Sequence, residues 1–204
     1  MLGALAEMMS SMSVGILAFG SIIEEPGREL AAAVSRRVEV KTPFAVEFAR
    51  SSRTRDGAPT LVPVREGGAC VPASVLVLDG SVTVADARAM LYRRETGRLH
   101  DTSAGSDAAW IAELAALAGL KTCLYTALDA NIRPLTAERL AELALCSAAA
   151  AAGARRRDGI SYLQQQKRRG LVTPLMSPYE ELVLARTGAR DLDDAWKRVR
   201  RATL

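Results

Sequence analysis

Apolar positions along the chain change their spacing near its middle. From Val14 to about Leu78 they come in short runs of strand length, punctuated by glycine, proline and charged residues. Beyond Pro134 they recur at three- and four-residue intervals. The first run, Val14 to Phe19, has the length of a buried strand and stops at Gly20-Ser21, where glycine lets the backbone turn. Val38 to Phe48 carries β-branched and aromatic residues in partial alternation, broken by Pro43. Arg50 to Pro59 is polar and glycine-containing and reads as a loop. Thr60 to Val64 and Ala69 to Leu78 read as further strands, with turns at Arg65 to Gly68 and at Asp79-Gly80.

Helical patterning begins at Thr83. Asp86 stands three residues later in the acid position of a capping box, and Ala87, Met90 and Leu91 form an apolar stripe that Glu95 extends by one turn. Gly97 is placed to stop this helix. Asp107 to Leu117 reads as a second short helix ended by Gly119, and Lys121 to Leu128 as a strand returning to the sheet. Thr136 caps a helix whose Leu135, Leu140, Leu143 and Cys146 keep near-helical spacing. Tyr162 opens another through Lys167, and Leu192 to Arg200 makes the last. Strands first and helices last predict an α+β fold: a mixed β-sheet or small β-barrel core with helices packed on it and a helical C-terminal part. Residues 1–13, apolar and Met-rich without a basic n-region, are expected to be an N-terminal extension to a single domain spanning 14–204.

Composition narrows the chemistry. The chain has 204 residues, 49% hydrophobic and 4% aromatic, and a formal charge of +4. The basic clusters Arg155 to Arg157, Lys167 to Arg169 and Lys197 to Arg201 read as solvated helix faces. With so few aromatic residues they offer no stacking platform for nucleic acid. Three widely spaced cysteines, Cys70, Cys123 and Cys146, form no Cys-x-x-Cys pair and are expected to be buried thiols of a cytoplasmic protein. A single histidine, His100, argues against a zinc site and against a base for Ser21 as nucleophile. No run reaches the length of a membrane span. Glu95 is the candidate of physical interest. A partly desolvated carboxylate at the negative end of a helix holds a proton more readily, as a general base near neutral pH requires. The turn after the first strand, with backbone N–H groups at a sheet edge, is the matching candidate for binding an anion.

Five stretches together carry a resemblance. Phe19-Gly20-Ser21-Ile22-Ile23 followed by Pro26-Gly27 resembles the Tyr-Gly-Ser-Leu-Ile…Pro opening of the ChaC-like γ-glutamylcyclotransferases. Phe48 to Pro59 is similar to that family's Phe-x-x-Gly-Ser loop, and Leu91 to Glu95 to its Tyr-Leu-x-x-Arg-Glu motif. Pro134 to Glu138 and Ser161-Tyr162-Leu163 fall where the family carries Gly-Pro-Leu-Ser-x-Glu and Glu-Tyr-Leu. The chain departs at Phe19 (Tyr in the family), at Ser51 (Gly) and at Thr54-Arg55 (Asp-His). The resemblance implies a catalytic Glu95, a substrate-binding turn of Phe19, Gly20, Ser21, Ile22 and Ile23, and a Tyr162 that contacts the substrate or orients Glu95. By itself Tyr162 reads equally well as a core-edge tyrosine. The implied substrate is a small γ-glutamyl compound such as glutathione, cyclised to 5-oxoproline without metal or organic cofactor. The alternative is a non-catalytic relative that binds an acidic or γ-glutamyl ligand in the same pocket. If Arg53 and Arg55, in the altered loop, line the pocket, they favour a more acidic γ-glutamyl substrate over glutathione.

Overall fold

The computed structural model describes residues 14–97 and 110–203. The fold is α+β, with a mixed five-stranded sheet and a helical C-terminal part. The chain divides into two compact units, each made of two separated segments. Residues up to Thr42 and Pro72–Leu128 form the first; Pro43–Val71 and Asp129–Leu204 form the second.

The first unit holds strands β1 (Val14–Ala18), β2 (Val34–Lys41), β5 (Pro72–Leu78), β6 (Ile111–Leu117) and β7 (Leu120–Thr126). Their order is β2-β5-β1-β7-β6, an open sheet in which β1 runs parallel to β7 and the other pairs are antiparallel. β1 is central, which explains its unbroken apolar run. Val14, Ile16 and Ala18 of β1, with Leu76, Leu78 and Leu124, face the helix α2 (Val84–Thr96) through Ala87 and Leu91. Helix α1 (Arg28–Ala33) adds Leu30 to the same core.

The second unit contains the hairpin β3 (Val46–Ser52) and β4 (Ala58–Pro63), then five helices. These are α3 (Ala137–Ala149), α4 (Ala151–Ala154), α5 (Gly159–Arg168), α6 (Met176–Thr187) and α7 (Leu192–Ala202). Its aromatic centre is Phe48, which meets Tyr162 edge-on at 6.1 Å between ring centroids and Tyr179 at 5.7 Å. Phe48→Leu keeps apolar bulk but removes both edge contacts, so it should lower stability by about 1–3 kcal/mol, readable in denaturant midpoints.

Several sequence expectations are met residue by residue. The Thr83–Asp86 capping box forms, with both reciprocal bonds at 3.1 Å, and Gly97 ends α2 at φ +70°. Thr136 caps α3 by accepting from the Arg139 amide at 3.3 Å. Others are corrected. The segment 111–117 is strand β6, not the helix expected over Asp107 to Leu117 (107–109 lie outside the described residues). Its Ala, Glu and Leu favour helix intrinsically, but pairing with β7 overrides that preference. The β6–β7 hairpin turns through Ala118 and Gly119, both at positive φ, an Ala-Gly substitute for the usual Asn-Gly signal. Arg28–Ala33 is helix α1 inside a stretch expected to hold only strands. The loop expected over Arg50 to Pro59 is shorter, because β3 reaches Ser52 and β4 starts at Ala58 around a 3-10 turn at Arg53–Arg55.

Of the cysteines, only Cys123 is buried, its thiol pushed up to about 12 by burial; Cys70 and Cys146 are exposed. The basic C-terminal residues hold the second unit together. Arg200 donates to the carbonyls of Ala149 and Ala150 at the end of α3, at 2.9 and 3.2 Å. Arg156 stacks on Trp196 at 3.4 Å and pairs with Asp193, and Lys167 pairs with Glu180. No helix among the described residues is long and apolar enough to cross a membrane.

Candidate functional site

Strand β1 delivers the chain to a tight turn. Phe19 is still extended, and Gly20 then takes φ +62°, opening a 3-10 turn over Gly20–Ile23. An L side chain at that angle crowds its own backbone, so glycine is what the turn requires. Ile22 is buried in the core and Ile23 packs against it, fixing the turn from below. Phe19 and Gly20 are buried and Ser21 is half-buried. Two guanidinium groups fix the turn's carbonyls. Arg37 of β2 donates to Ile23 O at 2.7 Å, and Arg94 of α2 donates to Glu25 O through Nε at 3.1 Å and Nη2 at 2.8 Å.

Arg94 links the turn to the carboxylate that the sequence singles out. Its Nη2 also reaches Ser21 Oγ at 3.2 Å, while Nη1 donates to Glu95 Oε1. Both side chains are mostly covered, Arg94 at 15% and Glu95 at 17% exposure. One guanidinium therefore touches Ser21, Glu25 and Glu95 together. The approach is close: Gly27, at φ +85°, would place a Cβ only 3.2 Å from Arg94 Cγ. Next along α2, Arg93 forms a forked ion pair with Glu29, its Nε donating to Oε2 at 2.9 Å, so that α1 is tied to α2 beside the turn. At the other edge of α2, Arg88 donates to Ile111 O and pairs with Glu113, anchoring the helix to β6.

The structure thus brings Phe19, Gly20, Ser21, Ile22, Ile23 and Glu95 together in the first unit. Tyr162 belongs to the second unit. There it is buried against Phe48, and the Arg55 guanidinium lies 5.1 Å from its ring centroid. Arg55 is itself buried and donates to Arg157 O at 3.4 Å, so this arginine holds the unit together. Ser51 is likewise built in: its amide donates to Asn131 Oδ1 at 2.7 Å and its hydroxyl to Gly57 O at 3.0 Å. His100 lies outside the described residues. Among the described residues no group of three or more His, Cys, Asp or Glu is placed to hold a metal ion.

Sequence reasoning treated Arg94 only as a neighbour of Glu95. A basic residue at the adjacent position does not by itself say where its side chain turns. It also missed Glu47, a fully buried carboxylate in β3. Alternation within β3 hid Glu47, since a residue between Val46 and Phe48 should face the other way, yet Val46, Glu47, Phe48 and Ala49 are all buried.

Comparison of the chain with protein-family models, with curated proteins and with solved structures found no match.

Proposed function

We propose that the first unit carries a γ-glutamylcyclotransferase site. One observation carries the reading: Glu95, the only carboxylate that extends the apolar stripe of α2, shares a single guanidinium with the Gly20–Ile23 turn. The chemistry needs a basic oxygen close to an anion-binding turn. The substrate's α-carboxylate would sit at the amides of Gly20, Ser21 and Ile22. Glu95 accepts a proton from the α-ammonium. The freed amine attacks the γ-carbonyl carbon, forming the C–N bond of the ring. The bond to the leaving amine breaks as Glu95 returns that proton to the leaving nitrogen, and the ring nitrogen gives up its second proton to the departing amine, which leaves as an ammonium. The products are 5-oxoproline and the free amine, Cys-Gly if glutathione is the substrate. The nucleophile is tethered to its target, so holding the chain in a folded shape supplies much of the rate. Release of 5-oxoproline from a panel of γ-glutamyl compounds by the purified protein is the direct test, and no release from any of them rejects the reading.

A second reading is favoured by the coverage of Glu95 Oε1 by Arg94: a protein that binds a γ-glutamyl or other acidic ligand without turning it over. Calorimetric binding without product would support it.

The turn is tested separately. Gly20→Val imposes a β-branched residue at φ +62° and places methyl groups where the carboxylate would approach the backbone. Stability should fall by about 1–3 kcal/mol and KM should rise by more than that strain accounts for. A folded Gly20→Val protein with an unchanged KM would remove the turn from the mechanism.

A further inference from the structure

We propose, on the cyclotransferase reading above, that Arg94 is the positioning residue for Glu95, and that it divides the two carboxylate oxygens between a structural and a chemical role. The guanidinium has five N–H groups. Nε and Nη2 are committed to Glu25 O and Ser21 Oγ, so the group is clamped to the turn rather than free to swing with its own helix. Nη1 then projects to Glu95 Oε1. The place of the carboxylate is thereby set by the turn that would bind the substrate. Glu95 Oε2 receives no hydrogen bond from the described residues and is the oxygen left to take a proton.

This arrangement couples two features that lie 74 positions apart in sequence, from Ser21 to Glu95. A carboxylate on the last turn of a helix has several rotamers open to it. A planar fork held at three points selects one. Lysine cannot replace it, because an ammonium is a point donor on a flexible stem and cannot address the Glu25 carbonyl, the Ser21 hydroxyl and Glu95 in fixed geometry. The role toward Glu95 is one of orientation, so its loss should fall on kcat more heavily than on KM, which changes only as far as the turn loosens. Arg94 itself transfers no proton.

The experiment measures 5-oxoproline release by wild type, Arg94→Ala and Arg94→Lys, with melting curves for each. For Arg94→Ala, kcat should fall about a hundredfold, the cost of displacing a catalytic group by an ångström or so. Added guanidinium chloride at low millimolar concentration should restore roughly tenfold of that loss by refilling the fork, while urea should not. Arg94→Lys should lose about tenfold in kcat with KM within a factor of about three. If Arg94→Ala does not fold, Arg94→Lys carries the test alone, and full activity in it overturns the assignment. Equal turnover in wild type and Arg94→Ala, or a loss that guanidinium leaves untouched in a protein of normal melting temperature, also overturns it and leaves the cyclotransferase reading standing. A wild type that releases no 5-oxoproline removes both.

Discussion

On the cyclotransferase reading, Glu95→Gln should abolish most turnover while leaving the protein folded. Glutamine has nearly the helix propensity of glutamate, so α2 loses little. Its side-chain carbonyl can still accept from Arg94 Nη1, so the link from the helix to the Ser21 turn is kept. What disappears is the ability to accept and return a proton. A positioned acid–base group contributes about two to four orders of magnitude, and kcat for 5-oxoproline release should fall by that amount. In barrier terms this is about 3–5 kcal/mol. The melting temperature should move by no more than a degree or two, since glutamine keeps the size of the side chain and its hydrogen bond from Arg94. Turnover within a factor of about three of wild type, far short of that expected loss, would mean Glu95 is not the base.

The sequence made this site legible in unequal parts. The turn could be read because two strong local signals meet there: an apolar run of strand length and a glycine able to take φ +62°. The helix could be read because its cap, stripe and stop are all local, and each is present in the structure. Glu95 fell on the covered side of α2 by periodicity alone. Arg94 could not be read in the same way. Its role depends on reaching Glu25 and Ser21, about 70 positions away, and nothing in a helical period encodes that reach. The same limit explains the largest error. Residues Ile111–Leu117 have a helical composition, and only the neighbouring strand β7 makes them a strand. The division at Pro43 was hidden for a related reason. A proline that breaks a strand looks the same whether the chain turns within one unit or leaves it for another. Arg55 shows the converse: a charge that looked like a specificity determinant is buried over the ring of Tyr162.

Glu47→Leu should strongly destabilise the second unit. Glu47 is wholly buried and faces three donors: Thr173 Oγ1 at 2.6 Å, the Phe48 amide at 2.8 Å and the Leu175 amide at 3.0 Å. Leu175 is the N-cap of α6, so the carboxylate satisfies one of that helix's leading N–H groups from β3, more than a hundred positions earlier. Leucine fills similar volume but accepts nothing. Three buried donors left without an acceptor cost about 1–3 kcal/mol each, so a net loss of about 3–5 kcal/mol is expected after the added apolar burial is counted. For a chain of this size, that should lower Tm by about 10 °C. Glu47→Gln separates charge from hydrogen bonding. Burial holds the Glu47 carboxyl above its ordinary 4.5, even though Thr173, Phe48 and Leu175 all pull the other way. The folded state therefore keeps this proton at pH values where the unfolded chain has released it. Stability from this group is fully present below the unfolded value of 4.5 and is lost as pH rises through the folded value. Glutamine does not titrate, so the stability gap between wild type and Glu47→Gln should be widest in acid and should narrow as pH rises. Chemical denaturation of both proteins from below pH 4.5 to neutrality measures it, with the starting point set by the unfolded carboxyl. A gap that widens with pH would show that the three donors outweigh burial and that Glu47 is held as the anion.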